Sequence, residues 1–77
     1  MKPEPKKYTS EFTNSYGEAW HFEYNYGTRE GVLRGSDVDW KNYAVRNGHV
    51  QDLILNEEEI QWVRRAWLEA TAPTKLT

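Results

Sequence analysis

The stretch Ala19-Trp20-His21-Phe22-Glu23-Tyr24-Asn25-Tyr26 decides the fold of this chain, because aromatic and polar side chains alternate along it with a period of two. Such alternation is typical of a β-strand that buries one face and leaves the other in water. The aromatic side chains share the face that we expect to be buried. We therefore predict a half-buried antiparallel strand over residues 18–26.

The loop before this strand predicts its first neighbour. Ser15-Tyr16-Gly17 suits a three-residue hairpin loop whose glycine takes the left-handed conformation. This loop places Phe12 opposite Trp20 and Tyr8 opposite Tyr24, so the aromatic side chains of both strands lie on one face of the sheet.

The loop after the strand predicts its second neighbour. Residues 27–30 suit a four-residue loop, which places Phe22 opposite Gly35. An aromatic ring over a strand glycine is a known way to shield that glycine from water. On the polar face the same register places Glu23 opposite Arg34, an opposite-charge pair across two strands.

Asn47-Gly48 is the strongest short hairpin signal in the sequence, because a type I′ turn needs positive φ at both of its central residues. The turn pairs Val45 with Val50 and, two residues further out, Tyr43 with Asp52. Asp52 is a misfit on this otherwise apolar face.

The C-terminal helix is marked by its capping residues. Asn56 is a favourable N-cap, and Glu59 three residues later completes a capping box. Leu55 and Ile60 occupy the positions of a hydrophobic staple, and the acidic residues 57–59 complement the positive end of the helix dipole. The predicted buried stripe consists of Ile60, Val63, Trp67 and Ala70.

These elements predict an α+β fold, a five-stranded antiparallel β-meander followed by one C-terminal α-helix packed on one sheet face. The predicted strands cover residues 8–14, 18–26, 31–36, 41–46 and 49–55, and the predicted helix covers 57–71. We expect residues 1–7 to be a disordered lead, 8–71 to be a single domain and 72–77 to be a frayed tail. The predicted core is Phe12, Trp20, Phe22, Tyr24, Leu33, Tyr43, Val45, Val50, Ile54, Ile60, Val63 and Trp67.

Composition excludes several classes of protein. The 77 residues include no cysteine, so neither a disulfide nor a thiolate metal site can form. A net charge of −2 is unlike that of a strongly basic nucleic-acid-binding protein. No apolar run approaches the ~18 residues of a membrane span, and no signal peptide is apparent, so we expect a cytoplasmic protein without a membrane partner.

The residues that could be catalytic or bind a metal are all better explained by structural roles, namely solvent exposure and helix capping. His21 and Glu23 fall on the polar sheet face, whereas His49 flanks a turn of a different hairpin, so we expect these histidines to be exposed rather than to bind a metal. The acidic residues 57–59 are explained by helix capping. The chain has neither a G-x-S-x-G nucleophile elbow nor a phosphate-binding glycine loop. We predict no enzymatic activity, no cofactor, no metal and no small-molecule substrate.

The junction Leu53-Ile54-Leu55-Asn56-Glu57-Glu58 is similar to the entry into the C-terminal helix of the single-stranded-DNA-binding transcriptional coactivator family. In that family a curved antiparallel sheet precedes one helix, and the helices help to form a dimer. The similarity covers about ten residues and the strand order, and is therefore a likeness of fold.

Four residues are candidates for an interaction surface. Trp62 falls outside the predicted buried stripe, beside Arg65, and an exposed Trp next to Arg is typical of an interface anchor. Trp40 lies in the connection between the third and fourth strands, where it either is presented on a loop or covers one end of the core. Tyr16 lies in the first hairpin loop, where it could extend the contact.

The width of the sheet supports an interaction. Five strands span about 20–24 Å, whereas one helix is only ~10–12 Å across, so sheet curling, a second copy or another partner must cover the remainder. We expect a protein-interaction module with an accessory or regulatory role, and a homodimer with Trp62 or the open half of the aromatic face in its interface.

The alternative is a single-stranded nucleic-acid-binding protein that stacks bases on its aromatic sheet face. That function requires exposed aromatic side chains beside a continuous basic track. The cations that could supply the track are Lys6, Lys7, Arg29, Arg34, Lys41 and Arg46.

Overall fold

A computed structural model describes residues 6–72, which form five antiparallel strands in the order of the chain and one C-terminal helix. The strands are β1 (Lys7–Thr13), β2 (Ala19–Asn25), β3 (Glu30–Gly35), β4 (Tyr43–Arg46) and β5 (His49–Val50), and the helix is α1 (Glu57–Thr71). A short 3-10 helix, Ser36–Val38, follows β3. The predicted α+β meander is confirmed, and β1 begins one residue before its predicted start. Of the disordered lead expected over residues 1–7, residues 1–5 lie outside the described residues and Lys7 belongs to β1. Of the frayed tail expected over 72–77, residues 73–77 also lie outside the described residues.

The β1–β2 hairpin has the register that its loop predicts. Phe12 lies opposite Trp20 and Tyr8 lies opposite Tyr24. Gly17 takes the left-handed conformation with φ 83°, as a glycine at this position of the loop allows at no steric cost.

The β2–β3 register differs from the prediction by two residues, so that Glu23 lies opposite Val32 and not opposite Arg34. The cause is Asn25, whose side-chain oxygen accepts hydrogen bonds from the backbone N–H of Gly27 at 2.8 Å and of Thr28 at 3.0 Å. The loop therefore covers residues 26–29, one residue earlier than predicted at both ends, which shifts the register by two, and Arg29 closes it with a positive φ of 62°. A shift of two residues preserves the face of every side chain, so the predicted core side of β3 is correct.

The glycine shielded by an aromatic ring is covered by a different ring from the one predicted. Gly35 lies opposite Trp20, and a Cβ atom at position 35 would overlap the six-membered part of the Trp20 indole. Trp20 therefore lies flat over the backbone of β3, and no larger residue fits at position 35 while this ring is in place.

The β4–β5 hairpin turns as predicted but ends early. Asn47 and Gly48 have φ values of 54° and 81°, as a type I′ turn requires, and Val45 pairs with Val50. The pairing predicted between Tyr43 and Asp52 does not form, because Asp52 takes a left-handed conformation with φ 62° and turns the chain out of the sheet. Asp52 is exposed in this turn, which explains a charged residue on an apolar pattern.

The helix begins and ends at the predicted residues, and its capping box is complete. The Asn56 side chain accepts from the backbone N–H of Glu59, and the Glu59 carboxylate accepts from the backbone N–H of Asn56, each at 3.0 Å. The buried residues of the helix are Glu59, Val63, Ala66 and Ala70. The stripe predicted from hydrophobicity is therefore rotated from the observed one, and Ile60 lies on its exposed side.

The buried core consists of Trp20, Phe22, Tyr24, Leu33, Val45, Val63, Ala66 and Ala70, and the part-buried residues packed on it include Phe12, Tyr43, Val50 and Trp67. Two residues of the predicted core are outside it. Ile54 is 97% exposed and Ile60 is 38% exposed. Ile54 was expected on a longer β5, and it leaves the core because that strand stops at Val50.

One helix covers the inner face because the sheet curves around it. The helix contacts β1 and β2 near one edge of the sheet and β5 at the other edge. A flat sheet of five strands would place these edges about 19 Å apart, too far for one helix to reach both. Of the solutions expected for the uncovered width, curling of the sheet is the one that the structure shows.

A buried polar cluster joins the start of the helix to the first hairpin. Glu59 and Asn14 are each 5% exposed. One carboxylate oxygen of Glu59 accepts hydrogen bonds from Asn14 Nδ2 at 2.6 Å and from the indole N–H of Trp20 at 3.0 Å. Because the other oxygen caps the helix, this buried carboxylate has donors on both sides, as a buried charge requires.

Candidate interaction surface

An apolar segment, residues 53–55, follows β5. The left-handed turn at Asp52 directs residues 53–55 along the side of the helix, where Leu53 and Leu55 turn inward and are half-buried. Successive side chains of an extended segment point to opposite sides, so Ile54 between them points into solvent. The local sequence therefore forces one apolar side chain outward.

Ile54 stands at the rim of an apolar groove of about 230 Å³ between this segment and the first turns of the helix. The groove is lined by Gly48, His49, Val50, Leu53, Ile54, Leu55, Ile60 and Val63. Most of these side chains are aliphatic, and two of them, Ile54 and Ile60, are exposed to solvent. Exposed Asp52 and Glu57 flank the segment in the chain and give this side of the groove negative charge, whereas exposed Arg64 lies beside Gly48.

Sequence reasoning missed this groove because it continued β5 through Ile54. The available signal was the run Leu53-Ile54-Leu55, three consecutive apolar residues between two polar segments. An extended chain buries such a run only if both of its sides are covered, and a single helix covers one.

Trp62 is not the exposed anchor that its position on the helix predicted. Its ring stacks on Phe12 with the ring centroids 5.2 Å apart and an interplanar angle of 18°. Its indole N–H donates to Ser10 Oγ at 3.0 Å, so both its apolar face and its polar atom are used within the chain. Trp62 is half-buried and closes the gap between the helix and β1.

The other three candidates lie at separate places. Tyr16 is 78% exposed in the β1–β2 loop, near the start of the helix. Trp40 is 49% exposed after the 3-10 helix, where it lines a shallow groove with Phe12 and Trp20, and Arg65 is exposed on the helix. Within residues 6–72 no hydrogen bond or aromatic contact joins any two of the four candidates.

The outer face of the sheet is a polar network centred on Glu23. Its carboxylate lies 3.2 Å from His21 Nε2, 3.4 Å from an Arg34 guanidinium nitrogen and 3.8 Å from Lys7 Nζ. The hydrogen bond with His21, aided by the charges of Lys7 and Arg34, outweighs partial burial and lowers the pKa of Glu23 below its ordinary value. His21, Glu23 and Arg34 are part-buried in this network, and within the described residues Arg34 Nε is buried without a hydrogen-bond partner.

Four of the six cations of the expected basic track lie at two separate places in the structure. Lys7 and Arg34 are paired with Glu23 on the outer face. Arg29 and Arg46 line a separate cleft of about 550 Å³ at the end of β3 and β4, together with acidic Glu30 and the part-buried Trp67. The aromatic side chains Trp20, Phe22 and Tyr24 are buried beneath the helix, so they present no ring face for a base to stack on.

The described part of the chain contains no group of three or more His, Asp or Glu side chains arranged to hold a metal ion. His21 and Glu23 lie together as expected from the strand, while His49 is on the distant β5. Over residues 6–72, the helix also lacks the length and apolar character needed to cross a bilayer.

In comparisons with known proteins, no family model matches the chain, and neither a curated protein nor a solved structure is significantly similar to it. The similarity to the coactivator family thus remains one of strand order and of the junction at residues 53–58.

Proposed function

We propose that this chain is a non-enzymatic protein-interaction module that binds the apolar side chains of another protein in the groove beside β5. The observation that carries the proposal is the 97% exposure of Ile54 at the rim of that groove. When a partner covers a large aliphatic side chain that is otherwise held in water beside other aliphatic side chains, the free energy of the complex is lowered.

The surroundings of the groove favour a partner segment that also carries basic residues. Asp52 and Glu57 flank the groove segment and are exposed, so Lys or Arg beside the apolar side chains would be attracted. The groove is shallow and small, which suits two or three side chains of a short peptide segment better than a whole domain face. An accessory or regulatory role fits such a small contact.

Ile54→Asp tests the proposal because it changes the groove without removing a core side chain. A displayed library of random peptides is selected on the wild-type chain, and the enriched peptides are then measured against the variant. We expect enriched peptides to combine aliphatic and basic residues, and Ile54→Asp to weaken their binding by about tenfold or more, since burying one such side chain contributes ~1.5–3 kcal/mol.

Leu68→Ser is the matched control, since Leu68 is exposed on the same helix but does not line the groove. It should bind the enriched peptides as the wild-type chain does. The proposal fails if no peptide is enriched, or if Ile54→Asp binds the enriched peptides as tightly as Leu68→Ser does.

Single-stranded nucleic acid is the less favoured partner, because the aromatic core side chains are covered and two of the candidate cations are paired. We expect little binding of an unstructured oligonucleotide at about 150 mM salt, since affinity for phosphates needs several well-placed cations. Submicromolar binding under these conditions would reverse this order of preference.

A further inference from the structure

The free edge of β1 is the longest unpaired strand edge of the sheet, since β1 has seven residues and β5 at the other edge has two. The backbone N–H of Asn14 donates to Glu18 and that of Tyr26 donates to Lys6, each at 3.0 Å. In an antiparallel ladder alternate residues of a strand bond to the same neighbour, so the even-numbered residues of β1 face β2. The odd-numbered residues therefore direct their N–H and C=O groups outward.

The helix does not cover this edge. It packs on the inner face of β1, where Tyr8 donates to Glu69 at 2.6 Å and Ser10 accepts from Trp62 at 3.0 Å. The side chains of Lys7, Thr9, Glu11 and Thr13 are on the outer face and are exposed. Within residues 6–72 no hydrogen bond is made to the outward backbone groups of these four residues.

The charges on the edge are self-complementary. If two copies of β1 pair antiparallel about a two-fold axis at Thr9, Lys7 of each copy lies opposite Glu11 of the other. Among the registers that use the outward backbone groups, only this one joins opposite charges. Centring the pair at Ser10 places Lys7 opposite Thr13, and centring it at Glu11 places two carboxylates together, which is unfavourable.

We propose that two copies of this chain pair antiparallel along β1, with Thr9 on the two-fold axis, to form one continuous ten-stranded sheet. Three hydrogen-bonded residue pairs would supply about six backbone hydrogen bonds. Both helices then lie on the same side of the sheet, and Trp62 lies near the axis because it is bonded to Ser10, the neighbour of Thr9. The β1 edge lies across the sheet from the groove, so each proposal can fail without the other.

Thr9→Pro is the decisive variant, because proline removes only an outward N–H that β2 does not use. Proline is tolerated on an edge strand in this orientation. Sedimentation equilibrium at tens of micromolar should give the mass of two chains for the wild type and of one chain for Thr9→Pro, with the circular dichroism spectrum unchanged. A wild-type mass of one chain, or a dimer that survives Thr9→Pro, would overturn the proposal.

Cysteine substitution tests the register, since the chain has no native cysteine. Opposite residues of a hydrogen-bonded antiparallel pair have Cα atoms ~5.5 Å apart, within the range that a disulfide spans. Thr9→Cys should therefore cross-link two chains on mild oxidation. The matched control Thr13→Cys should not, because the two copies of residue 13 would be about 27 Å apart. Cross-linking of the control in preference to Thr9→Cys would refute this register.

A charge swap separates backbone pairing from charge complementarity. Lys7→Glu places like charges opposite Glu11 of the second copy and also beside Glu23 of its own chain, so an unchanged circular dichroism spectrum is required of the variant. We then expect the dissociation constant to rise about fivefold to tenfold at low salt. Lys7→Glu combined with Glu11→Lys should restore dimerisation. A double variant as weak as the single one would contradict the proposed pairing.

Discussion

The helix is attached to the two sides of the curved sheet by different forces. Along β1 and its loop it makes hydrogen bonds near its start, in its second turn and near its end, in the pairs Ser15–Glu58, Asn14–Glu59, Ser10–Trp62 and Tyr8–Glu69. Toward β4 and β5, in the described residues, it makes apolar contacts and no hydrogen bond. Directional bonds fix where the helix lies along β1, while non-directional burial on the β5 side supplies the closing contact.

The β5 side should give the largest loss of stability when it is changed. Trp67 packs on Gly31 and on the turn at Gly48, and its ring meets Tyr24 edge-on at 5.2 Å. Trp67→Ala should lower the free energy of unfolding by about 3–4 kcal/mol, as the loss of a large aromatic side chain does. Denaturant melts measure it, and a loss below about 1 kcal/mol would mean that the apolar side contributes little.

The second-largest loss of stability is expected on the β1 side, from a change to the buried carboxylate of Glu59. In Glu59→Gln one carboxylate oxygen becomes an NH2 group, which must face either Trp20 and Asn14 or the backbone N–H of Asn56, so at least one of these donors loses its acceptor. We expect a loss of about 2–3 kcal/mol, because unsatisfied buried donors cost ~1–3 kcal/mol each.

Glu58→Gln is the control in the same helical turn, since Glu58 bonds only to the exposed Ser15. It should change stability much less than Glu59→Gln does. Equal losses in the two variants would show that helix-dipole charge matters here and that the buried cluster does not.

A smaller loss of stability is expected from a change in the Asn47-Gly48 turn, which lies against the helix. Gly48 has φ 81°, and a Cβ atom there would make only ordinary contact with Trp67 at 3.6 Å, so backbone conformation is the main obstacle. Gly48→Ala should cost about 1–2 kcal/mol in thermal melts. Asn47→Gly, the control, should be close to neutral because glycine accepts the same positive φ; a neutral Gly48→Ala would argue against this turn type.

The smallest effect is expected from pH at the far end of β1. The pKa of Tyr8 is raised to about 12, mainly because the side chain is partly buried. The Glu69 carboxylate, which accepts a hydrogen bond from Tyr8, raises this pKa further through its negative charge. The folded state therefore holds this proton more tightly than the unfolded chain, in which tyrosine has a pKa near 10. The stabilisation is complete below about pH 10 and declines as the pH rises toward 12.

Thermal melts of Tyr8→Phe between about pH 9 and 11.5 test this difference. The variant should lose stability less steeply with pH than the wild type does. Tyr16→Phe should keep the wild-type slope, because Tyr16 is 78% exposed. Identical slopes for the wild type and Tyr8→Phe would show that the Tyr8–Glu69 hydrogen bond does not form in solution.

Some parts of the fold could be predicted from the sequence, and others could not. The first hairpin was predictable because Gly17 marks its loop, whereas the second loop is built by the side chain of Asn25 and closed by left-handed Arg29, which composition does not reveal. The face of the helix was misjudged because a carboxylate, Glu59, occupies a core position. Hydrophobicity assigns such a residue to solvent, and only its partners Asn14 and Trp20 make its burial favourable.

The candidate site was less predictable than the fold. Ile54 fits the pattern of a continued strand, and the local signs against that strand, the misfit of Asp52 and the apolar run 53–55, do not give the direction in which the chain turns. Trp62 was assigned to solvent from its angle on the helix, but curvature of the sheet brings Phe12 and Ser10 up to meet it. Curvature is a property of the whole sheet, so single-residue patterns do not contain it.

The indole of Trp20 lying over Gly35 has a consequence for sequence divergence. Positions 20 and 35 are coupled, since any side chain at position 35 meets the Trp20 ring, and a smaller residue at position 20 leaves the strand glycine uncovered. Distant relatives should therefore show covariation at this pair even where the rest of the sequence has drifted. A search that requires Trp and Gly to be gained or lost jointly at this spacing would recognise the fold where overall identity no longer does.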